Sequence, residues 1–222
     1  MELKLNLGCG DIQPPGWRNI DSSWNAQLQK LPVVGALVGR ALRLPRYDSR
    51  RVVYQDLNRP WPYADGSVAV VYSSHVFEHL GPCAADLFLS ESLRCLRSDG
   101  AFRIVVPDLY QLCKVYLADY EAGTSADPSR DLLWALNLHR EGQYGAHRGW
   151  LARAMAWQQG HPHQHKYMYD AKSLTQLLRD KGFVDVVGAS YGRSAYVADI
   201  SDVEGTREAY RSVYLDARKP GA

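Results

Sequence analysis

The sequence lacks the features that mark several large classes of protein. Its 222 residues include only four cysteines, which form no C-x-x-C pair and have no metal-site spacing. A disulfide scaffold is therefore excluded, and the scarcity of cysteine predicts a reduced, cytoplasmic protein. The longest apolar run, residues 31–39, is too short to span a bilayer. The pattern of a signal peptide is also missing, so we expect no secretory signal.

The chain also has little excess charge. Its formal net charge is +2 and its isoelectric point is about 8.3, which excludes a generic basic nucleic-acid binder. One stretch is more basic, because residues 40–51 carry five arginines beside the apolar residues 33–38. We favour a solvated surface for residues 33–51 over contact with a membrane surface or an anionic ligand, since Pro45 interrupts any long amphipathic helix.

What the chain does have is enough apolar sequence for a core and a repeated alternation of strands and helices. Apolar residues make up 46% of the chain and charged residues 23%, which is typical of a globular domain. Strands are expected at residues 3–7, 18–20, 51–54, 68–72, 101–106, 183–187 and 212–217. Helices are expected at residues 24–47 (with breaks at two prolines), 75–80, 84–96 and 173–181.

This alternation predicts the fold class. Strands that alternate with helices form a doubly wound, mostly parallel α/β sheet of the Rossmann-like kind. Residues 110–165 break the rhythm, because they are rich in aromatic residues and histidine and have helical spacing. We therefore predict a single domain over residues 1–222, with a helical insertion or cap at 110–165 before the last helix–strand unit.

A glycine turn follows the first predicted strand. Gly8 and Gly10 flank Cys9 where the alternating pattern ends, and glycines there let the backbone approach a ligand closely. In doubly wound folds the ligand lies at the carboxyl ends of the strands. Asp21 and Asp56 follow the next two strands and fall on the same edge. One carboxylate there can accept from ribose hydroxyls, and the other from an exocyclic amine.

An ordered set of segments resembles a known family. These segments are LKLNLGCGD, NID, YQDLNRPWPYADGSVAVVYSSHVFEHL, ESLRCLRSDGAFRIVVPDL and SLTQLLRDKGF. Together they are similar to the class I S-adenosylmethionine-dependent methyltransferases, in the small branch of methyltransferase type 11-like proteins. The resemblance covers about residues 3–109 and 165–187. It implies a Rossmann-like fold, S-adenosyl-L-methionine as cofactor and methyl transfer as the activity.

The resemblance also implies roles for individual residues around the cofactor. Gly8, Cys9 and Gly10 would pass under its amino-acid and ribose portion, and Asp21 would hold the ribose hydroxyls. Asp56 would meet the adenine amine.

Two further residues complete this implied cofactor site. Leu57 would lie beside the adenine ring and Ser74 near the methionine end. The sequence departs from the wider class at Asn6, where many members carry an acid, and in a first crossover of only about a dozen residues. NAD is the weaker choice, because the third glycine of its G-x-G-x-x-G fingerprint is missing.

A histidine motif offers an alternative from another enzyme class. His75, Glu78 and His79 match the H-x-x-E-H spacing of inverted zincins. On a helix the two imidazoles would share one face, as a zinc site requires. The same string is frequent after the fourth strand of methyltransferases, where it binds no metal. We therefore predict no metal, and we expect Glu78 and His79 to form hydrogen bonds within the domain or to face the substrate cleft.

A second histidine group lies where the insertion returns to the core. His161, His163, His165 and Lys166 occur within six residues, and histidine is well matched to proton transfer at neutral pH. By the resemblance, His165 aligns best with a catalytic position, as a base or a substrate-orienting group. His163 and Lys166 are candidate substrate contacts. The alternative is a histidine-rich surface turn without a role.

Together these features predict a cytoplasmic methyltransferase. The acceptor is expected to be a small molecule or a saccharide-type metabolite that is methylated at oxygen or nitrogen, with no nucleic acid and no integral membrane contact. Two alternatives from other classes stay open, a zinc-dependent hydrolase built on His75, Glu78 and His79 and a non-catalytic cofactor-binding module.

Overall fold

Seven strands pair into one sheet in the order β3-β2-β1-β4-β5-β7-β6. The computed structural model describes residues 2–22, 51–137, 164–205 and 211–221. The strands are β1 (Lys4–Leu7), β2 (Arg18–Asp21), β3 (Val52–Tyr54), β4 (Val68–Ser74), β5 (Leu96–Pro107), β6 (Val184–Gly188) and β7 (Ser212–Arg218). Strands β1 to β5 pair in parallel, and β7 runs antiparallel to both β5 and β6. The predicted mostly parallel, Rossmann-like sheet is therefore confirmed.

Four helices are described with this sheet. They are α1 (Pro82–Cys95), α2 (Leu109–Ala122), α3 (Pro128–Ala135) and α4 (Ala171–Asp180). Helix α1 begins with Pro82 in its first turn, where a missing N–H costs nothing. Helix α4 begins with a capping box between Asp170 and Ser173. These local signals place both helices within two residues of their predicted start.

The core lies on both faces of the sheet. Strand β4 is buried along almost its whole length, as expected for a central parallel strand. On one face Phe77 and Phe88 pack with the apolar sides of α1 and α4. On the other face Trp17 and Tyr72 meet edge to face, with ring centroids 6.2 Å apart. The carboxyl edge of the sheet is thereby held on a rigid support.

One predicted helix is wrong. The sequence predicts a helix over residues 75–80, but β4 continues to Ser74 and a single 3-10 turn occupies Phe77–His79. His75 has a φ of +53°, which no α-helix accommodates. The histidines of the H-x-x-E-H motif therefore do not share the face of an α-helix.

Two predicted segments lie wholly or mostly outside the described residues. The helix expected over 24–47 falls there, as does the basic stretch 33–51 except for Arg51. Of the proposed insertion, the described part contains α2 and α3, followed by residues 136–137 and 164–165. Among the residues that the structure describes, none of the helices is both long enough and apolar enough to cross a membrane.

Candidate active site

The carboxyl edge of β1, β2 and β4 brings several predicted cofactor residues to one level. Leu7 pairs with Ile20 of β2 and with Ser73 of β4. The residues that follow these partners are Gly8, Asp21 and Ser74, so they lie side by side where the strands end. A candidate ligand site at this edge agrees with the general placement of ligands in open α/β sheets.

Glycine is needed at the two positions of the turn for different reasons. Gly8 has a φ of +69°, and a Cβ added there would lie 2.1 Å from Val76 Cγ2. Gly10 has a φ of +52°, but a Cβ there would meet no atom of the residues that the structure describes within 4 Å. Packing inside the protein therefore explains Gly8, whereas Gly10 leaves open space beside the backbone. That space is a cradle in which a ligand can approach the main chain.

Two carboxylates lie where the neighbouring strands β2 and β3 end. Asp21 is buried, and its Oδ2 accepts a hydrogen bond of 3.0 Å from the Gly10 N–H. Asp56 accepts from the backbone and the side chain of Asn58, at 3.0 and 2.9 Å. Burial tends to raise the pKa of Asp56, but these hydrogen bonds and the charge of Arg59 outweigh it and hold the pKa below its usual value. Asp56 is therefore an anion at neutral pH.

Two other predicted cofactor residues have apolar surroundings. The Cys9 side chain is buried and packs with Val52. Burial, reinforced by the nearby charge of Asp21, raises the pKa of the Cys9 thiol to about 12. Cys9 is thus a neutral thiol without nucleophilic character. Leu57 is buried in the main core beside Asp56.

Asn6 has a structural role in this protein. It is buried, and its amide donates to the Ile12 carbonyl and to Asn19 Oδ1, both at 3.0 Å. These two bonds tie the segment after the glycine turn to β1 and β2. Asparagine, in place of the acidic residue of many relatives, therefore holds the glycine turn in a fixed position.

A second group of polar side chains lies just after β4. Glu78 is fully buried in the 3-10 turn, and neither of its carboxylate oxygens accepts a hydrogen bond from any residue that the structure describes. Its Oε1 lies 3.9 Å from His165 Nε2 and 4.0 Å from His79 Nε2. We call Glu78, His79 and His165 the Glu78 cluster. His75 lies beside it, with Nδ1 3.3 Å from the same oxygen.

Backbone hydrogen bonds hold the returning segment against this turn. The N–H groups of Lys166 and Tyr167 both donate to the Glu78 carbonyl, at 2.8 and 3.2 Å. The Gln164 carbonyl lies 3.1 Å from His79 Nδ1. The rings of His79 and His165 then meet edge to face with centroids 4.9 Å apart. The cluster is thus built from two distant parts of the sequence.

The environment of His165 favours its neutral form. Burial lowers the pKa of this imidazole, and the charge of Glu78 only partly opposes that effect. A neutral imidazole can accept a proton or bind a metal at neutral pH.

The predicted acceptor residues have different outcomes. The structure brings His79 and His165 together, and Lys166 is exposed next to them. His161 and His163 lie outside the described residues. The position of Glu78 beside His165 was not predicted, because the sequence relates Glu78 only to His75 and His79, its neighbours in the motif. The sequence does carry one signal that Glu78 is buried, because its neighbours Val76, Phe77 and Leu80 are apolar.

Comparison with known proteins supports the predicted class. The family model described as a methyltransferase domain matches residues 28–104, about a third of the chain. The matched range begins after the glycine turn and Asp21 and includes Asp56, Ser74 and Glu78. No curated protein sequence matches the chain.

A solved structure shares the fold at low sequence identity. An S-adenosylmethionine-dependent methyltransferase from Thermotoga maritima is 13% identical with a TM-score of 0.50, over 99% of this chain and 82% of that one. A second similar structure is the 1,6-didemethyltoxoflavin-N1-methyltransferase from Burkholderia thailandensis, 14% identical with a TM-score of 0.46, over 98% of this chain and 71% of that one.

The family match and the strand order agree with each other. The matched range covers β3, β4, α1 and most of β5, which are the elements that follow the glycine turn and carry Asp56 and the Glu78 cluster's 3-10 turn. The match to a methyltransferase domain over residues 28–104 and the mostly parallel, Rossmann-like sheet therefore both agree with the predicted class of S-adenosylmethionine-dependent methyltransferases.

Proposed function

We propose that the enzyme methylates an oxygen or nitrogen of a small-molecule or saccharide-type acceptor. One observation carries this proposal: two imidazoles of the Glu78 cluster lie next to the carboxyl end of β4, the strand that also ends at the candidate cofactor site. Hydroxyl and amine acceptors must lose a proton during methylation, and a buried neutral imidazole is suited to assist. The acceptor would bind over β4 and β5.

The cofactor side of the proposal assigns binding roles to this chain's residues. S-adenosyl-L-methionine, when bound, supplies an electrophilic methyl group. Gly8, Cys9 and Gly10 would lie under it, with Asp21 on the ribose hydroxyls. Their chemistry fits, because Gly10 leaves open space and Asp21 presents a carboxylate at its side.

The remaining cofactor contacts are assigned to Asp56, Leu57 and Ser74. Asp56 is held as an anion, which can accept from an amine, and Leu57 follows it directly. Ser74 ends β4 between the glycine turn and the Glu78 cluster. It would therefore lie at the boundary between the cofactor and the acceptor.

On the acceptor side, His165 is the residue proposed to act directly on the acceptor. His165, as base or orienting group, would act on the acceptor, with His79 and Lys166 as contacts and His163 as a further contact. Good orientation alone can contribute on the order of 7–11 kcal/mol to such a displacement. The rigid attachment of residues 164–167 to the Glu78 turn supports this role.

The location of the protein is part of the same proposal. All four cysteines are free thiols, including the exposed Cys83. Free thiols fit a reducing compartment, so we propose that the enzyme works in the cytoplasm on a soluble acceptor.

Two variants test the cofactor site and the acceptor site separately. Asp21→Asn keeps an oxygen for the Gly10 N–H but loses the charge that would hold the ribose. We expect S-adenosylhomocysteine to bind at least tenfold more weakly, or about 1.4 kcal/mol, by titration calorimetry. Asp99→Asn is the matched control, because Asp99 is exposed at the opposite edge of the sheet. Equal affinity in all three proteins would contradict the ribose role.

The second variant, His165→Ala, tests the acceptor side. We expect it to bind S-adenosylhomocysteine like the wild type but to lose at least a hundredfold in single-turnover methyl transfer, the lower range for general acid–base catalysis. The acceptor is found first by screening hydroxyl and amine metabolites with labelled cofactor. Unchanged single-turnover transfer in His165→Ala would overturn the assignment.

A further inference from the structure

The carboxylate of Glu78 is buried, and the nearest group that could carry a positive charge, His75 Nδ1, lies 3.3 Å from Oε1. The side chain is 1% exposed, and within the described residues neither oxygen accepts a hydrogen bond. An ionised carboxylate without compensation is among the most costly groups to bury, and proteins retain one when it is paired or coordinates a metal. A positive charge close to Glu78 would therefore stabilise its buried carboxylate.

Three potential ligand atoms converge at this point. Glu78, His79 and His165 each offer one ligand atom, and these atoms lie within 4.8 Å of one another. The Glu78 Oε1 to imidazole Nε2 distances are 3.9 and 4.0 Å. In a tetrahedral zinc site with bonds of about 2.0–2.1 Å, ligand atoms lie ~3.3 Å apart. Small side-chain rotations would therefore bring all three atoms onto one ion.

The orientation of His79 supports coordination. Its Nδ1 lies 3.1 Å from the Gln164 carbonyl oxygen, which can only accept. Nδ1 therefore carries a proton, which leaves Nε2, 4.0 Å from Glu78 Oε1, as the ring atom that can bind an ion. A metal-bound histidine almost always has its other nitrogen fixed in this way.

The geometry points to a metal site that the sequence analysis did not predict. We propose that Glu78, His79 and His165 bind one divalent transition-metal ion of the zinc type. Three protein ligands leave a fourth position for water or for an acceptor oxygen, as in catalytic zinc sites. Two imidazoles and one carboxylate are also donor types that suit an ion of this kind.

The proposed ligand set differs from the inverted-zincin motif. His75 is not part of it, because its left-handed backbone follows β4 directly and its Nε2 lies 3.3 Å from Ser212 Oγ. His165 replaces it from the other side of the insertion. With a metal in place, His165 would orient the acceptor through the ion and would not remove the proton itself.

Metal content tests this inference independently of methyl transfer. Untagged full-length protein is stripped with a chelator, titrated with Zn²⁺ against a chromophoric competitor, and analysed for metal by mass spectrometry. We expect one tightly bound ion per chain. Glu78→Gln, His79→Ala and His165→Ala should each weaken binding at least about 100-fold, since even outer-shell changes cost 10–100-fold. Co²⁺ should give the visible bands of a four-coordinate site.

Two controls distinguish this site from other histidines. His75→Asn keeps a residue that tolerates positive φ and should bind the ion like the wild type. The double variant His161→Ala/His163→Ala should do the same. The proposal is overturned if the wild type binds no stoichiometric ion. It is also overturned if the double variant loses the ion while His165→Ala retains it. Circular dichroism checks that each variant folds. If Glu78→Gln does not fold, His79→Ala tests the same site in its place.

Discussion

Two groups of buried charges in this enzyme differ in how their hydrogen bonds are satisfied. The first, the Arg103 cluster, consists of Arg103 on β5, Asp216 on β7, and Glu204, which follows the 3-10 turn Ile200–Asp202; all three are buried. Arg103 donates to Glu204 Oε1 at 2.8 and 2.5 Å and to Asp216 Oδ1 at 3.0 Å. The second is the Glu78 cluster, whose carboxylate accepts no hydrogen bond from a described residue.

The remaining bonds of the Arg103 cluster show what it does. The second oxygens of Glu204 and Asp216 accept from the N–H groups of Gly192 and Ala195, at 2.5 and 2.6 Å. Arg103 also donates to the carbonyls of residues 190 and 193. The cluster thus holds residues 190–204 against the sheet. A fully satisfied buried network serves the fold, whereas the incompletely satisfied Glu78 cluster retains capacity for a ligand.

The largest expected effect comes from breaking the satisfied cluster. Arg103→Met leaves two buried carboxylates without their cation, so we expect the free energy of unfolding to fall by about 3–5 kcal/mol. Urea denaturation followed by circular dichroism measures it. Arg218→Met is the control, because Arg218 faces the exposed Asp99 at 3.7 Å and should change stability by less than ~1 kcal/mol. Equal losses in both variants would remove the distinction between buried and exposed pairs.

The same substitution in the two clusters should have opposite effects. Glu204→Gln loses charged hydrogen bonds to Arg103 and should reduce the free energy of unfolding by about 1–3 kcal/mol. Glu78→Gln removes an uncompensated buried charge, so the metal-free protein should gain about 1 kcal/mol. Both are measured by urea denaturation with a chelator present. A loss in Glu78→Gln as large as that in Glu204→Gln would show that the Glu78 carboxylate is already compensated.

Sequence patterns predicted the sheet well because each strand carries its own signal. The alternation before Gly8 and the continuous apolar run of β4 identify strands without knowledge of the rest of the chain. The helix over residues 75–80 was predicted wrongly because histidines four apart suit a helix, while the positive φ of His75 leaves no such mark. The periodicity of a short segment does not reveal that one of its residues has a left-handed backbone conformation.

The two clusters depend on contacts between distant positions. Arg103 and Asp216 are the charged residues within the apolar runs 101–106 and 213–217, and they are direct cross-strand partners. That pair could have been found once β5 and β7 were placed as antiparallel neighbours. Glu78 and His165 are joined only because residues 164–167 return to the 3-10 turn. Nothing in the spacing along the chain specifies that return, so the resemblance suggested His165 without its carboxylate.

The smallest expected effect is a pH dependence from His165 in the metal-free protein. Burial lowers its pKa below 6.5 in the folded state, so below pH 6.5 the unfolded chain binds the proton more readily. Stability should therefore rise with pH through the range just below 6.5 and level off above it. His165→Gln should lose that component of the pH profile, whereas the Arg103 cluster contributes no histidine and should leave it unchanged in Glu204→Gln. An identical slope in wild type and His165→Gln would mean that Glu78 offsets the burial of His165, and the Glu78 cluster would then be a compensated pair like its counterpart on β5 and β7.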